Sequence, residues 1–174
     1  ERETAAISVC DITRPVPYRR MLPPMLARLE ANGIARDAIT ILIATGLHRP
    51  ATEAEINEIL GPEIAAAYRV VNHHARELSE HRHLGSTSTG TPVYIDERFM
   101  AADLHLTCGL IEPHLMLGFS GGRKLIAPGV AYQDTIKRIH SPVFMRDPLA
   151  IEGSVAGNMV HRELMEISRM ARHD

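Results

Sequence analysis

Apolar residues follow two different periods along the chain, and the switch between them marks out alternating strands and helices. Ala5 to Cys10 is a short apolar run that gives way to Asp11-Ile-Thr-Arg-Pro-Val-Pro17. Proline removes backbone donors and restricts its predecessor, so the spacing predicts a strand ending at Cys10. From Tyr18 to Asn32, residues Met21, Leu22, Met25, Leu26 and Leu29 recur at helical intervals, and Asn32-Gly33 supplies the stop. Ala38 to Ala44 is continuous and β-branched, as in a buried parallel strand, and Thr45-Gly-Leu-His-Arg-Pro50 follows it. Thr52 to Leu60 predicts a helix with a capping box between Thr52 and Glu55, closed by Gly61-Pro62. Tyr68 to Val71 and Asp103 to Cys108 read as further strands, and Thr91 to Ile95 as an edge or antiparallel piece. Asp134 to Ile139 and Met159 to Ala171 read as helices. The alternation predicts an α/β fold with a mostly parallel, Rossmann-like sheet, helices on both faces and right-handed crossovers.

Length and composition narrow the classes. A chain of 174 residues with 45% hydrophobic residues suffices for one domain with its own core and excludes overall disorder. A net charge of -2 with no basic run argues against a nucleic-acid partner, which would need a phosphate-neutralising stripe. No apolar run approaches the roughly 18 residues of a membrane span. Cys10 and Cys108 are the two cysteines and form no CxxC pair, so a reducing, cytoplasmic setting is expected. The start, Glu1-Arg2-Glu3, is neither a signal peptide nor an initiator Met, so the chain reads as an excised piece.

Histidine changes the picture: there are 10, against 3 Phe, 4 Tyr and no Trp. In open α/β sheets ligands bind beyond the carboxyl ends of the strands. Asp11/Arg14, His48/Arg49, His73/His74 and Glu112/His114 all fall just past predicted strands. His48 follows Thr45-Gly46, whose glycine permits a turn that aims a side chain over the sheet edge, and His114 follows Pro113. Imidazole titrates near neutral pH, so both are acid/base candidates. Ser120-Gly121-Gly122-Arg123-Lys124 places two glycines before paired cations, a pattern suited to a phosphate but without Walker spacing. A flexible turn with solvated cations explains it equally well. At His140, helix capping and metal ligation are equally open on spacing alone, and no HxH or HExxH pattern supports zinc. His81, His83, His105, His161 and His173 read as surface or paired residues.

Taken together, Asp11-Ile-Thr-Arg-Pro-Val-Pro17, Thr45-Gly-Leu-His-Arg-Pro50, Asn72-His73, Gly109-Leu-Ile-Glu-Pro-His114, Gly118-Phe-Ser-Gly-Gly-Arg-Lys124, Pro128-Gly129, His140 and Gly157-Asn158 closely resemble the nickel-dependent lactate racemase family over essentially the whole chain. The resemblance implies residues 1–174 as most of the N-terminal, cofactor-binding domain of a two-domain enzyme, lacking an N-terminal stretch and the C-terminal domain. It implies a nickel pincer nucleotide held covalently by Lys124, with Ser120, Gly121, Gly122, Arg123 and His73 helping to seat it and His140 ligating nickel. It also implies racemisation or epimerisation of a small 2-hydroxy acid by reversible hydride transfer, with His48 and His114 as the two acid/base groups. Arg14 would bind the substrate carboxylate and Asp11 would orient Arg14 or cofactor groups. Cofactor-biosynthesis enzymes are the implied protein partners, and the isolated fragment is expected to be inactive. Members often carry an acidic residue where this chain has His74. Two other classes fit parts of the pattern: a non-catalytic nucleotide or anion-binding module, which would leave His48 and His114 idle, and a metal-dependent hydrolase or lyase, for which no compact ligand spacing is present.

Overall fold

The structure, a computed structural model, describes residues 2–172. Its centre is a four-stranded, all-parallel sheet of β1 (Ala5–Cys10), β2 (Ile39–Ala44), β3 (Arg69–Asn72) and a fourth strand, Leu104–Cys108, in the spatial order third, second, first, fourth. Between the third and fourth of these, β4 (His81–Ser86) and β5 (Pro92–Asp96) form an antiparallel hairpin, so the fourth sheet strand is β6. A two-residue pair, β7 (Pro113–His114) with β8 (Gly118–Phe119), closes a small loop beyond β6.

Alternation along β1 and β2 explains why both faces are covered. Ala5, Ile7 and Val9 with Ile39, Ile41 and Ile43 point to one face and pack under α1 (Tyr18–Ala31), α2 (Glu53–Leu60) and α3 (Pro62–Ala67). Ala6 and Leu42 point to the other face, against Phe99 of α4 (Glu97–Met100), Ile136 of α5 (Gln133–Ile139), Phe144 of α6 (Pro142–Met145) and Val160, Leu164 and Ile167 of α7 (Met159–Met170). Phe99 is fully buried in that second core. Phe99→Ala is therefore expected to cost about 3–5 kcal/mol, read as a lower urea midpoint in equilibrium unfolding.

The main sheet strands and long helices stand where the sequence pattern predicts them, and the Thr52–Glu55 capping box is formed. Two differences have local causes. Gly61-Pro62 does not simply end a helix: Pro62 occupies the first turn of α3, where its missing N–H costs nothing. Strand β4 escapes the pattern because its sequence, His-Arg-His-Leu-Gly-Ser, lacks apolar alternation; it is held by pairing with β5.

One contact shapes the end of the sheet. The β1–β6 register runs to Val9 opposite Cys108, and there the fully buried Tyr18 enters. Its hydroxyl accepts from Cys10 N at 2.5 Å and donates to the Cys108 carbonyl at 2.8 Å. The phenol thus joins the two strand ends in place of a direct ladder bond.

Candidate active site

The chain runs outward from β1 through β2 to β3, then returns to β6 on the opposite side of β1. Such a reversal leaves a crevice at the carboxyl ends of the strands. A cavity of about 570 Å³ lies there, and its lining includes Asp11, Arg14, His48, His114, Lys124 and His140, with Ser120 and Gly121. Residues distant in sequence meet at this one edge: Asp11, Arg14 and His48 follow parallel strands, His114 lies in β7, Lys124 stands in a turn and His140 follows α5.

Asp11 begins the loop after β1 and is buried. Its Oδ1 accepts from Thr13 N (3.2 Å) and Thr13 Oγ1 (2.5 Å), which fixes the carboxylate. Its Oδ2 lies 2.6 Å from His48 Nδ1. A carboxylate only accepts, so Nδ1 carries the ring proton and His48 Nε2 is left with its lone pair. The resemblance implies that Asp11 orients Arg14 or cofactor groups; in the structure its carboxylate bonds His48, and the Arg14 guanidinium is paired with Glu112. The sequence reading gives Glu112 no role, although its place just past β6 is a signal.

His114 differs from His48. Its Nδ1 accepts from Met116 N at 3.3 Å, which leaves the proton on Nε2. Burial, and then the nearby Lys124, Arg14, His140 and Arg123 charges, push its pKa down to about 4. One cavity therefore holds a histidine presenting an acceptor and a neutral histidine presenting a donor.

Lys124 lies in a short 3-10 turn, Gly122–Leu125, entered through Gly121 at φ 73°. A Cβ on Gly121 would lie 2.7 Å from Ile111 Cγ1 and 3.0 Å from the Leu110 carbonyl oxygen, so only glycine fits this approach. Burial and the Arg14 charge lower the pKa of Lys124 below the usual lysine value, enlarging its neutral, nucleophilic fraction. Ser120 braces the turn: its hydroxyl donates to Leu110 O at 2.8 Å and accepts from Glu112 N at 3.0 Å. Arg123 turns away, donating to the Leu117 and Phe119 carbonyls at 2.9 and 3.0 Å. His140 follows α5, and its Nδ1 donates to Ile136 O at 2.7 Å, leaving the lone pair on Nε2.

His73 and Arg123 are not among the cavity-lining residues, and neither is Gly122. His73 is fully buried, with Nε2 3.0 Å from His81 Nε2. His74 faces Glu80 at 3.1 Å. His173 lies outside the described residues.

A family model described as the lactate racemase N-terminal domain matches residues 1–152. The chain belongs to that family. Over 163 residues it is 37% identical to a lactate racemase of Lactiplantibacillus plantarum, covering 93% of this chain and 38% of the relative. It is 34% identical to a lactate racemase of Thermoanaerobacterium thermosaccharolyticum over 170 residues, 98% of this chain and 40% of the relative. The solved lactate racemase apoprotein from the latter organism superposes with a TM-score of 0.93 at 34% identity, over 98% of this chain and 40% of that one. A protein from Thermotoga maritima shares the fold at 21% identity and a TM-score of 0.80, over 98% of this chain and 43% of its own. The chain thus spans about two-fifths of the length of these lactate racemases. Among the described residues no helix is long and apolar enough to cross a membrane.

The two strongly shifted histidines make acid stability testable. His73 is pushed to about 3, by burial first and then the His81 and Arg98 charges, and His114 to about 4, both from 6.5. Below pH 6.5 the unfolded chain takes up protons at these positions that the folded chain does not yet bind, so stability falls as pH drops from 6.5 toward 3. Denaturation midpoints at pH 7, 5.5 and 4.5 should decline, and His73→Gln should flatten that decline.

Proposed function

We propose that this chain forms the part of a 2-hydroxy acid racemase or epimerase that carries a nickel pincer nucleotide and the groups that move the substrate's hydroxyl proton. The observation that carries the reading is the convergence of Lys124, His140, His48, His114 and Arg14 on one cavity. The residues fit the cofactor. Lys124 offers an amine of lowered basicity for covalent attachment beside a turn that only glycine can make. His140 offers Nε2 with its Nδ1 proton fixed on a carbonyl, the arrangement that keeps a metal-binding imidazole in one tautomer. When bound, the cofactor supplies a reversible acceptor for the hydride on the carbon that bears the hydroxyl.

This chain's own residues do the rest. Arg14, steadied by Glu112, presents a planar cation for the substrate carboxylate. His48 Nε2 takes the hydroxyl proton, and Asp11 stabilises the imidazolium that results. His114, kept neutral by burial and neighbouring cations, serves the enantiomer presented from its side; to act as a base it gives its Nε2 proton to water and takes one from water on Nδ1, releasing the long bond from Met116 N. Mirror-image substrates need two such groups, and the Asp11–His48 pair would have no work in a module that only binds nucleotide. Cofactor-biosynthesis enzymes are the protein partners this reading requires, with the cytoplasm as its setting.

The test is loss of optical activity. The full-length protein, coexpressed with cofactor-making enzymes, is expected to racemise either enantiomer of lactate or of another 2-hydroxy acid. A nickel-loaded protein that leaves every such acid optically unchanged would sink the proposal.

A further inference from the structure

Behind the cavity wall, on the hairpin side of the sheet, lies a second group of histidines that the proposed reaction does not use. His73, just past β3, and His81, opening β4, face each other with their Nε2 atoms 3.0 Å apart and their rings edge-on at 85°. The hydrogen-bond partners accommodate one assignment of the protons that leaves both Nε2 atoms free. His81 Nδ1 lies 2.8 Å from the Glu77 carbonyl, which only accepts, so Nδ1 carries the proton. Thr45 Oγ1 donates to the His73 carbonyl at 2.8 Å, which leaves its lone pair to accept from His73 Nδ1 at 3.2 Å. Both Nε2 atoms then present lone pairs to each other, an arrangement that repels unless a cation lies between them. Burial lowers the pKa of His81, and burial with the His81 and Arg98 charges takes His73 to about 3, so a shared proton is not held at neutral pH.

Asp96 completes the group: a nitrogen of each ring and a carboxylate oxygen lie within 4.8 Å of one another. Asp96 is fully buried; its Oδ1 accepts from Arg98 N and Nε, both at 2.9 Å, and its Oδ2 only from the Arg98 guanidinium at 2.6 Å, leaving a lone pair on Oδ2. Glu80 also pairs with Arg98 at 2.7 Å. Two carboxylates against one guanidinium leave a net negative charge beside two neutral imidazoles. We infer that His73, His81 and Asp96 bind a divalent first-row transition metal at a site distinct from the cavity. Two nitrogen donors about 2.05 Å from one ion and at a right angle would lie about 2.9 Å apart, close to the spacing observed. Two imidazoles and one carboxylate suit zinc, cobalt or nickel, with water filling the remaining positions. His81, partly exposed, gives the ion its way in.

Cobalt(II) is the probe, used on the full-length protein in a His140→Ala background so that the cavity lacks the histidine proposed to ligate nickel. After chelator treatment, dialysis against Co²⁺ and removal of the excess, that variant is expected to retain one equivalent, with visible ligand-field absorption and a raised thermal midpoint. Adding His81→Gln, or separately His73→Gln, should remove the equivalent, the absorption and the midpoint shift together; circular dichroism selects whichever variant is folded. No cobalt retained by His140→Ala, or the same equivalent retained after His81→Gln or His73→Gln, overturns the inference and leaves the two rings as a hydrogen-bonded pair with Thr45 donating to His73 Nδ1.

Discussion

Lys124→Ala is expected to strip the full-length protein of its nucleotide adduct and of stoichiometric nickel, and to reduce racemisation to background. The side chain supplies a nucleophile that its neighbours do not replace: Arg14 carries a guanidinium, which stays protonated and is a poor nucleophile, and the other lining amine, Lys137, is exposed and donates to Gln133 Oε1 at 2.9 Å. Lys124→Arg should therefore fail as completely as alanine while keeping the charge, which separates covalent attachment from simple neutralisation of a phosphate. The turn itself should survive, since its bond from Lys124 N to Gly121 O belongs to the backbone. Intact mass and metal analysis of parent and variants decide the matter. An adduct that persists in Lys124→Ala would remove the covalent role from this residue.

His48→Ala and His114→Ala are each expected to lower kcat/KM by about 10²- to 10⁴-fold, the range for loss of a positioned acid/base group. Enantiomers of one acid have equal free energy, so their equilibrium constant is one and kcat/KM has to be the same in both directions. Either substitution alone must therefore slow both directions equally. The difference between the two residues should surface in a single turnover: a protein lacking His114 still oxidises the enantiomer served by His48, and the converse holds for the other variant. Chiral analysis of the residual substrate after a single turnover reads this directly. Equal single-turnover oxidation of both enantiomers by both variants would refute the division of labour. Asp11→Asn should resemble His48→Ala in part, because an amide in place of the carboxylate no longer stabilises the imidazolium.

The sheet was legible because β1 and β2 are continuous apolar runs, α1 carries spaced leucines and α2 a capping box. The edge where the cavity lies was legible for the same reason: polar residues just past buried parallel strands gather at the carboxyl edge of the sheet. What a linear pattern does not carry is which of those residues turn inward together. His73 and His48 both follow strands, yet His48 joins the cavity, whereas the His73 backbone N bonds to Ile43 O and its ring is drawn under Thr45 toward the hairpin. Strand β4, which brings His81 to that ring, gives no apolar alternation to read. The Asp11–His48 and Arg14–Glu112 pairings join positions 37 and 98 residues apart, and nothing in local spacing distinguishes them from the reverse choice.

The Tyr18 hydroxyl between Cys10 and Cys108 has a consequence for how this site tolerates change. Because one rigid aromatic ring acts as the spacer between the two strand ends, the span from Asp11 to Glu112 is gauged by the seating of α1 on the opposite face of the sheet. Leu22 and Leu26, beneath that helix, are not among the cavity-lining residues, and substitutions there leave the lining itself unchanged. They nonetheless tilt the gauge, so substrate fit and helix packing are mechanically one adjustment.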